Sequence, residues 1–322
     1  MRTWLFFLLL AGFGTLSAET EFLRIRSTPD QSDCLEIAVR HFGIGDGDDP
    51  VQLWLVGVSH IGTEAYYQEL QGLLGKADVV LFEGVDGDHP AFKQASSEEG
   101  RQRSTLQSNM ARALGLVFQL HHIDYNQPHF INSDLTSVQL MALFEGEEMP
   151  EATPAARAQM ENLIDDMEQQ GFRGEMASSV LAFLDTRPGW AKGMRWGMVN
   201  ILGNVTGNVS EYAGLPDHLR VLMQVLIEKR NEKVMDDIHE QLQTLAPGQS
   251  LAVFYGAAHM HDFEQRIQET YAAEILDTAW LTAFCGNLQT SGLNFIEKKA
   301  LTWFINQQVR TLNLISQPAG GN

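Results

Sequence analysis

Short apolar runs that end in a glycine and a polar side chain recur along the chain. Val51 to Val56 is a mostly apolar run that leads into Gly57-Val58-Ser59-His60, and Val79 to Phe82 leads into Glu83-Gly84. Apolar runs of this length, bounded by turn residues, predict buried β-strands. The first of these strands thus ends near a histidine and the second near a glutamate.

A helix is predicted between the two strands, where Thr63 is placed to cap the first turn and Gly75 to end the last. A strand, a helix and a strand in this order form a parallel crossover unit, in which both strands point the same way. His60 and Glu83 would then lie at the carboxyl ends of parallel strands. Binding sites in open α/β sheets are built at that edge.

The same pattern returns near the other end of the chain. Leu251 to Tyr255 is an apolar run that leads into Gly256-Ala257-Ala258-His259, and an amphipathic helix is predicted from Asp262. The chain therefore has two strand, G-x-x-H, helix units. A glycine lets the backbone turn sharply at the strand end, so that the imidazole projects into the crevice.

The remaining pattern predicts an α+β fold with an α/β-like core, in which a mixed sheet carries parallel strand-helix-strand units and a helix-rich middle insertion. Further strands are expected at Cys34 to Phe42 and Ala279 to Phe284, with a closing helix from Leu293 to Leu314. The middle section, about 101–245, has helix candidates at 101–119, 134–145, 153–170, 175–185 and 217–245. We expect a single domain over 19–315, followed by a flexible tail over 316–322.

Residues 1–18 have the pattern of a secretory signal peptide. A cationic start precedes the apolar run from Trp4 to Leu10, and small residues around Ala18 form a cleavage site. The alternative is an uncleaved anchor. Cleavage near Ala18 predicts an exported protein, periplasmic or secreted, and no later segment is long and apolar enough to predict a stable membrane span in the mature chain.

Export would place the two cysteines, Cys34 and Cys285, in an oxidising compartment. A disulfide between them would tie the first part of the mature chain to the last part. Two separate buried thiols are the alternative, because sequence alone does not show that the two Cα atoms approach one another.

The chain is strongly acidic, with 22 Lys and Arg against 41 Asp and Glu and a formal net charge of −19. This balance argues against binding of nucleic-acid backbones, and no basic patch is present to reverse it. Anionic membrane surfaces are disfavoured for the same reason. A hydrophobic content of 44% is that of a globular protein with a packed core.

The polar residues at the strand ends suggest metal chemistry. Two imidazoles and one carboxylate, here His60, His259 and Glu83, are a ligand set for a catalytic divalent metal with positions left open to water. Glu64, four residues after His60, and His261, two residues after His259, are reserve ligands.

Four short motifs, in this order and spacing, resemble the motif set of the TraB/TIKI family of metalloproteases, within the erythromycin-esterase and ChaN-like superfamily. They are Gly57-Val58-Ser59-His60, Leu81-Phe82-Glu83-Gly84, Glu228-Lys229-Arg230-Asn231 on a predicted helix, and Gly256-Ala257-Ala258-His259. The resemblance extends over roughly residues 35–285, which is nearly the whole mature chain.

The resemblance implies an exported metal-dependent hydrolase, most simply a peptidase acting on a peptide or protein substrate. It favours manganese or cobalt as the metal, with zinc as a further choice. By this analogy His60, Glu83 and His259 hold the metal. Glu83, Arg230 and Asn231 act in catalysis, with Glu83 as ligand or general base and Arg230 stabilising the oxyanion.

Two other functions fit the same pattern. A non-catalytic protein could use the crevice to capture a peptide, haem or a metal, because fold alone does not decide function. A hydrolase based on Ser59 is a third reading, although Gly57 to Gly62 is one residue too long for the G-x-S-x-G elbow. The segment from Trp190 to Gly214 is either a mobile cover for the substrate or an apolar helix followed by a glycine-rich loop.

Overall fold

The computed structural model describes residues 21–45, 49–88, 92, 94–98, 106–143, 154–168 and 175–316. The predicted signal peptide over 1–18 and nearly all of the predicted tail lie outside these residues. Both stay predictions.

A mixed β-sheet forms the centre of the described structure, as the sequence predicts. The strands are β1 (Leu23–Ser27), β2 (Asp33–Ile44), β3 (Val51–Val58), β4 (Ile61–Gly62), β5 (Val79–Phe82), β6 (Val117–Phe118), β7 (Phe130–Asn132), β8 (Ser250–Gly256) and β9 (Ile275–Gly286). The long strand β2 pairs with β9 along one edge, and with β1 and then β3 along the other, all antiparallel. Strands β4 and β6 pair separately.

The other half of the sheet is parallel and carries the candidate site. Its strands follow in the order β3, β8, β5 and β7. The prediction that β3 and β5 run parallel is therefore confirmed, although β8 lies between them. Because β8 is the strand that leads to His259, the strands that lead to His60, His259 and Glu83 are direct neighbours.

Helices cover the sheet and fill the middle of the chain. They are α1 (Glu64–Leu74), α2 (Leu106–Ala113), α3 (Ser137–Leu143), α4 (Pro154–Glu168), α5 (Glu175–Thr186), α6 (Pro188–Leu202), α7 (Asp217–Met223), α8 (Arg230–Leu242), α9 (Met260–Tyr271) and α10 (Phe295–Ile315). A π-helical turn, Gln224–Lys229, joins α7 to α8. None of the helices in the described part of the chain is both long and apolar enough to span a bilayer.

The predicted helix over 101–119 is wrong at its carboxyl end. Helix α2 stops at Ala113, Gly115 adopts a φ of +66°, and the chain continues as strand β6. A left-handed glycine at this point ends the helix, because it turns the chain out of the helical path. This turn is what brings β6 alongside β4.

The segment from Trp190 to Gly214 contains an apolar helix followed by a glycine-containing loop, which is the second of the two predicted alternatives. Helix α6 packs against α10 at two glycines, where a Cβ on Gly193 or Gly197 would lie 2.7 Å from Leu301 or 2.6 Å from Ile305. The glycines therefore allow the two helices to approach closely.

Cys34 and Cys285 form a disulfide, with Cα atoms 4.0 Å apart. They are directly opposite each other in the register of β2 and β9. The alternative of two separate thiols is therefore wrong. The bridge spans 251 residues of sequence and links the two ends of the fold.

Alanine substitutions at two glycines are expected to change stability in opposite directions. A Cβ on Gly286 would lie 2.3 Å from the backbone Cα of Trp196, whereas one on Gly72 in α1 meets nothing within 4 Å. We expect Gly286→Ala to lower the free energy of unfolding by about 1–3 kcal/mol, because backbone has to move. Gly72→Ala should raise it by about 0.5–1 kcal/mol. Urea unfolding of both variants checks this, and a stable Gly286→Ala protein would contradict the close packing.

Candidate active site

Three neighbouring strand ends bring two histidines and a glutamate around one glycine. His60 follows β3, Glu83 follows β5, and His259 ends the short 3-10 turn after β8. A Cβ on Gly256 would lie 3.1 Å from Glu83 Oε2, 3.6 Å from His60 Nε2 and 3.7 Å from His259 Cδ2. The three side chains therefore converge on the space that this glycine leaves open.

Glu83 is held as a carboxylate at the centre of this group. Its Oε1 accepts a hydrogen bond from Arg230 Nη2 at 2.8 Å, and its Oε2 accepts one from the backbone N–H of Gly256 at 2.6 Å. Burial alone would raise the pKa of Glu83, but the Arg230 cation and the hydrogen bond from the Gly256 N–H outweigh burial and hold this pKa well below its usual range. Glu83 is therefore ionised at neutral pH.

Arg230 connects Glu83 to a second buried carboxylate, that of Asp134. The guanidinium donates from Nε and Nη2 to the two oxygens of Asp134 at 2.8 and 2.6 Å, which is a bidentate pair. Burial lowers the pKa of Arg230, but Asp134 and Glu83 raise it well above its usual value. Arg230 is therefore a permanent cation shared by two anions.

The π-helical turn before α8 helps to aim Arg230. Its Nη1 donates to the carbonyl of Leu226, within that turn, at 3.2 Å, and lies 3.4 Å from His259 Nε2. Single π turns inside helices are frequent at functional sites. All five N–H donors of the guanidinium thus face a partner among the described residues.

Asn231 fixes the ring of His259. Its amide Nδ2 donates to Asp262 Oδ2 at 2.8 Å and to the His259 carbonyl at 3.2 Å, so its Oδ1, 2.7 Å from His259 Nδ1, accepts the ring proton. Burial lowers the pKa of His259 to about 3, despite the opposing effect of Glu83. The ring is therefore neutral, and its Nε2 presents a lone pair 3.7 Å from Glu83 Oε1.

Gln119 holds His60 in the same manner. Strand β6 pairs with β4 in the register Ile61 to Phe118, which places Gln119 beside His60. Gln119 Oε1 lies 3.0 Å from His60 Nδ1, and its Nε2 donates to the Tyr125 hydroxyl at 2.8 Å. The ring proton of His60 is thus directed to Gln119, which leaves Nε2 facing Gly256 and Glu83.

No family model, curated protein or solved structure matches the chain.

The structure brings together all five residues that the sequence predicts for the site, which are His60, Glu83, Arg230, Asn231 and His259. The position of one of them, Asn231, differs from the catalytic position that was predicted for it. Asn231 is fully buried behind His259 and contacts its Nδ1, so it orients the imidazole from outside the crevice.

Two further site residues, Asp134 and Gln119, were missed by the sequence analysis. Asp134 follows the short strand β7, which is parallel to β5, and it also accepts hydrogen bonds from the backbone N–H groups of Gly84 and Leu135. A polar residue after an apolar strand was the available signal, but β7 is only three residues long. No local pattern marks Gln119.

The two reserve ligands lie elsewhere. Glu64 is exposed at the start of α1, and its nearest side-chain partner is Gln68 at 3.4 Å. His261 lines a small separate cavity together with Glu21. Neither the Glu64 carboxylate nor the His261 ring is among the groups that lie around Gly256.

The donor set fits a divalent metal in its chemistry. Two imidazoles have Nδ1 held by amide oxygens, and both face an ionised carboxylate, which is the outer-shell arrangement of metal-binding histidines. In the described residues, no three His, Cys, Asp or Glu side chains stand at coordinating distances from a common point. Small side-chain movements toward a common ion, with Arg230 still balancing Glu83, would be needed for His60, Glu83 and His259 to hold it.

A polar cleft of about 620 Å³ lies along helix α1. Glu64, four residues from His60, lines it, as do His121 and His122, which follow Gln119. Its remaining lining consists of hydroxyl, amide and carboxylate side chains from Gln68, Gln71, Gln94, Ser96, Ser97, Asp124 and Asn126.

Proposed function

We propose that the protein is an exported metal-dependent hydrolase that cleaves peptide bonds. One observation carries the proposal: two imidazoles, each with Nδ1 held by a buried amide, turn Nε2 toward one ionised carboxylate around Gly256. The motif resemblance to the TraB/TIKI metalloproteases supports the choice of a peptide substrate.

His60, Glu83 and His259 would hold the metal, with manganese or cobalt favoured and zinc as a further choice. A bound divalent ion lowers the pKa of a water molecule and polarises a carbonyl group. Glu83 keeps its negative charge at neutral pH and serves as a ligand or as a proton acceptor. Asn231 and Gln119 hold the ring protons of the two histidines on Nδ1, which leaves both Nε2 atoms without a proton. His259 Nε2 would have to exchange its contact with Arg230 Nη1, 3.4 Å away, for the ion.

Arg230 supports catalysis by positioning Glu83. The motif resemblance implies that Arg230 stabilises the oxyanion, but its donors face Glu83, Asp134, the Leu226 carbonyl and His259. A guanidinium with its donors engaged stabilises a new anion only by giving up one of these bonds. We therefore assign Arg230 the role of fixing the carboxylate.

The reading of Ser59 as a nucleophile has less support. Its hydroxyl donates to the backbone carbonyl of Ile61 at 2.7 Å. A serine nucleophile is activated instead by a base that accepts its proton. A non-catalytic binder would use the same crevice. Measuring turnover as well as metal content distinguishes it from a hydrolase.

Metal content before and after mutation tests the proposal. We expect the purified protein, equilibrated with manganese, cobalt or zinc and then dialysed, to retain one ion per chain. The double variant His60→Ala/His259→Ala should retain none while staying folded by circular dichroism. His239→Ala, at an exposed position on α8, is the matched control and should bind as the wild type does.

Turnover is measured next, on a library of fluorogenic peptides. We expect cleavage that a chelator abolishes and that Glu83→Gln lowers by about 10²–10⁴-fold, the range for a lost acid-base group. Metal retention without turnover would assign the site to a binder. A folded wild-type protein that retains no metal would refute the metal-dependent mechanism.

A further inference from the structure

Helix α10 exposes four large apolar side chains: Phe295 at its first position, with 69% of its surface exposed, and three others that lie in a single row. Ile296, Trp303 and Leu314 have 77%, 65% and 74% of their surface exposed to solvent. They are separated by seven and eleven residues, which are about two and three helical turns, so they lie on one side of the helix. We call these three residues the apolar row.

The opposite face of α10 holds the helix on the protein. Leu301, Ile305 and Leu312 are buried there, and the first two reach the glycines of α6. Because its inner face already holds α10 on the protein, a small movement of the helix cannot bury the apolar row in the core. Solitary exposed apolar residues need no explanation. These three are aligned on one side of a rigid helix, and their meaning depends on the charges beside them.

The charges on α10 differ in sign from those of the whole chain. Lys299 and Arg310 are exposed and lie on the same side as the apolar row, as their spacing from Trp303 shows. The single acid of the helix, Glu297, lies to the side and accepts hydrogen bonds from Trp190 Nε1 and from the Asn294 backbone. The outward face is thus apolar and cationic on a protein with a net charge of −19.

We propose that α10 docks the protein on an anionic lipid surface, with its axis parallel to the membrane. The apolar row would enter the boundary between headgroups and acyl chains, where tryptophan is favoured, and Lys299 and Arg310 would contact the phosphates. The cationic charge of the face selects an anionic partner over a neutral one. This inference is independent of the hydrolase function.

A second copy of the chain fits this face less well. A stable protein interface uses about 20–30 residues a side, far more than one row on one helix. Pairing the same faces of two copies would also bring four cations together with no acid between them. We therefore argue for the lipid, and a dimer becomes one outcome of the test.

The net charge of the chain predicts weak attraction to anionic surfaces, but the local charge decides contact at short range. The Debye length is about 8 Å at physiological ionic strength, whereas a helix with its side chains is about 10–12 Å thick. Acidic groups behind α10 are therefore largely screened from a lipid surface that touches its outer face.

Vesicle sedimentation tests the proposal on the purified mature chain, from which residues 1–18 have been removed. We expect co-sedimentation with phosphatidylglycerol-containing vesicles at 0.1 M salt and little with pure phosphatidylcholine. Ile296→Ser/Trp303→Ser and Lys299→Gln/Arg310→Gln should each bind at least about tenfold more weakly. Each cation near the surface contributes about fivefold, and the apolar variant loses the burial of two large side chains in the lipid. Leu276→Ser/Val138→Ser removes exposed apolar side chains elsewhere and should bind as the wild type does.

Thermal unfolding and light scattering complete the test. The altered side chains are exposed, so all variants should keep the melting temperature of the wild type. Equal binding to neutral and anionic vesicles, or unchanged binding of both α10 variants, would overturn the proposal. So would a dimer that forms without lipid and disappears in Ile296→Ser/Trp303→Ser, since that outcome assigns the face to a second copy.

Discussion

Replacing Arg230 by methionine is expected to lower the free energy of unfolding by about 3–5 kcal/mol at pH 7. The guanidinium is 8% exposed and pairs with both Glu83 and Asp134, whose side chains are 13% and 0% exposed. Methionine fills a similar volume but leaves two buried carboxylates without their cation. Two uncompensated anions in the interior cost more than the lost hydrogen bonds alone.

This loss should depend on pH in a definite direction. In the wild type, the pKa of Glu83 is held below its ordinary value of 4.5, so its contribution to stability is complete above that pH and disappears as the pH falls. Without Arg230, burial dominates and raises the pKa of Glu83 above the value in the unfolded chain. The free energy of unfolding of the variant is then lowered most at neutral pH. The difference in this free energy between the variant and the wild type should shrink as the pH falls toward 4.

Urea unfolding between pH 4 and pH 8, with chelator present, measures this difference. Lys229→Met is the matched control, since Lys229 precedes Arg230 and pairs with Glu232 at the surface, where an ion pair contributes about 0–1 kcal/mol. If Arg230→Met does not fold, Arg230→Lys, which keeps the charge and loses the bidentate geometry, should show a smaller loss. Equal stability of Arg230→Met and Lys229→Met would refute the shared ion pair.

The sequence predicts the strand ends of the site well because each of them combines two independent signals. An apolar run of strand length fixes where His60, Glu83 and His259 sit, and the glycines mark where the chain turns. The parallel direction of β3 and β5 follows from the helix between them. Their carboxyl ends then lie at one edge whatever the order of the strands.

The order of the strands was not predictable in the same way. Strands β3, β5 and β8 are all short and apolar, so nothing local states that β8 inserts between the other two. The choice depends on which pairing buries the most surface across a separation of nearly 200 residues. Sequence patterns describe one element at a time and do not contain this comparison.

The supporting residues of the site, Gln119 and Asp134, were not predictable from the sequence for a related reason. Gln119 becomes relevant only because β6 pairs with β4, and both are two-residue strands that arise from tertiary contacts. Asp134 becomes relevant only because β7 adds to the edge of β5. Neither residue type is unusual in its position along the chain. Their roles follow from neighbours that are distant in sequence.

Removing the disulfide is expected to lower the free energy of unfolding by about 2–5 kcal/mol, toward the upper end of that range. The bond between Cys34 and Cys285 closes a loop of 251 residues, so it restricts the unfolded chain far more than a short loop would. It also joins β2 to β9, the strand that leads to α10. The stabilisation therefore comes mainly from the unfolded state, and the native site should not change.

The double variant Cys34→Ala/Cys285→Ala tests this by urea unfolding, together with the wild type in the presence and absence of dithiothreitol. Reductant should bring the wild type close to the variant and leave the variant unchanged, because the variant has no bond to lose. Metal retention should be the same in both folded proteins, since the bridge lies on the antiparallel side of the sheet, away from β8 and β5. A variant as stable as the oxidised wild type would show that the bridge does not restrict the unfolded chain, and lost metal binding would show that it shapes the site.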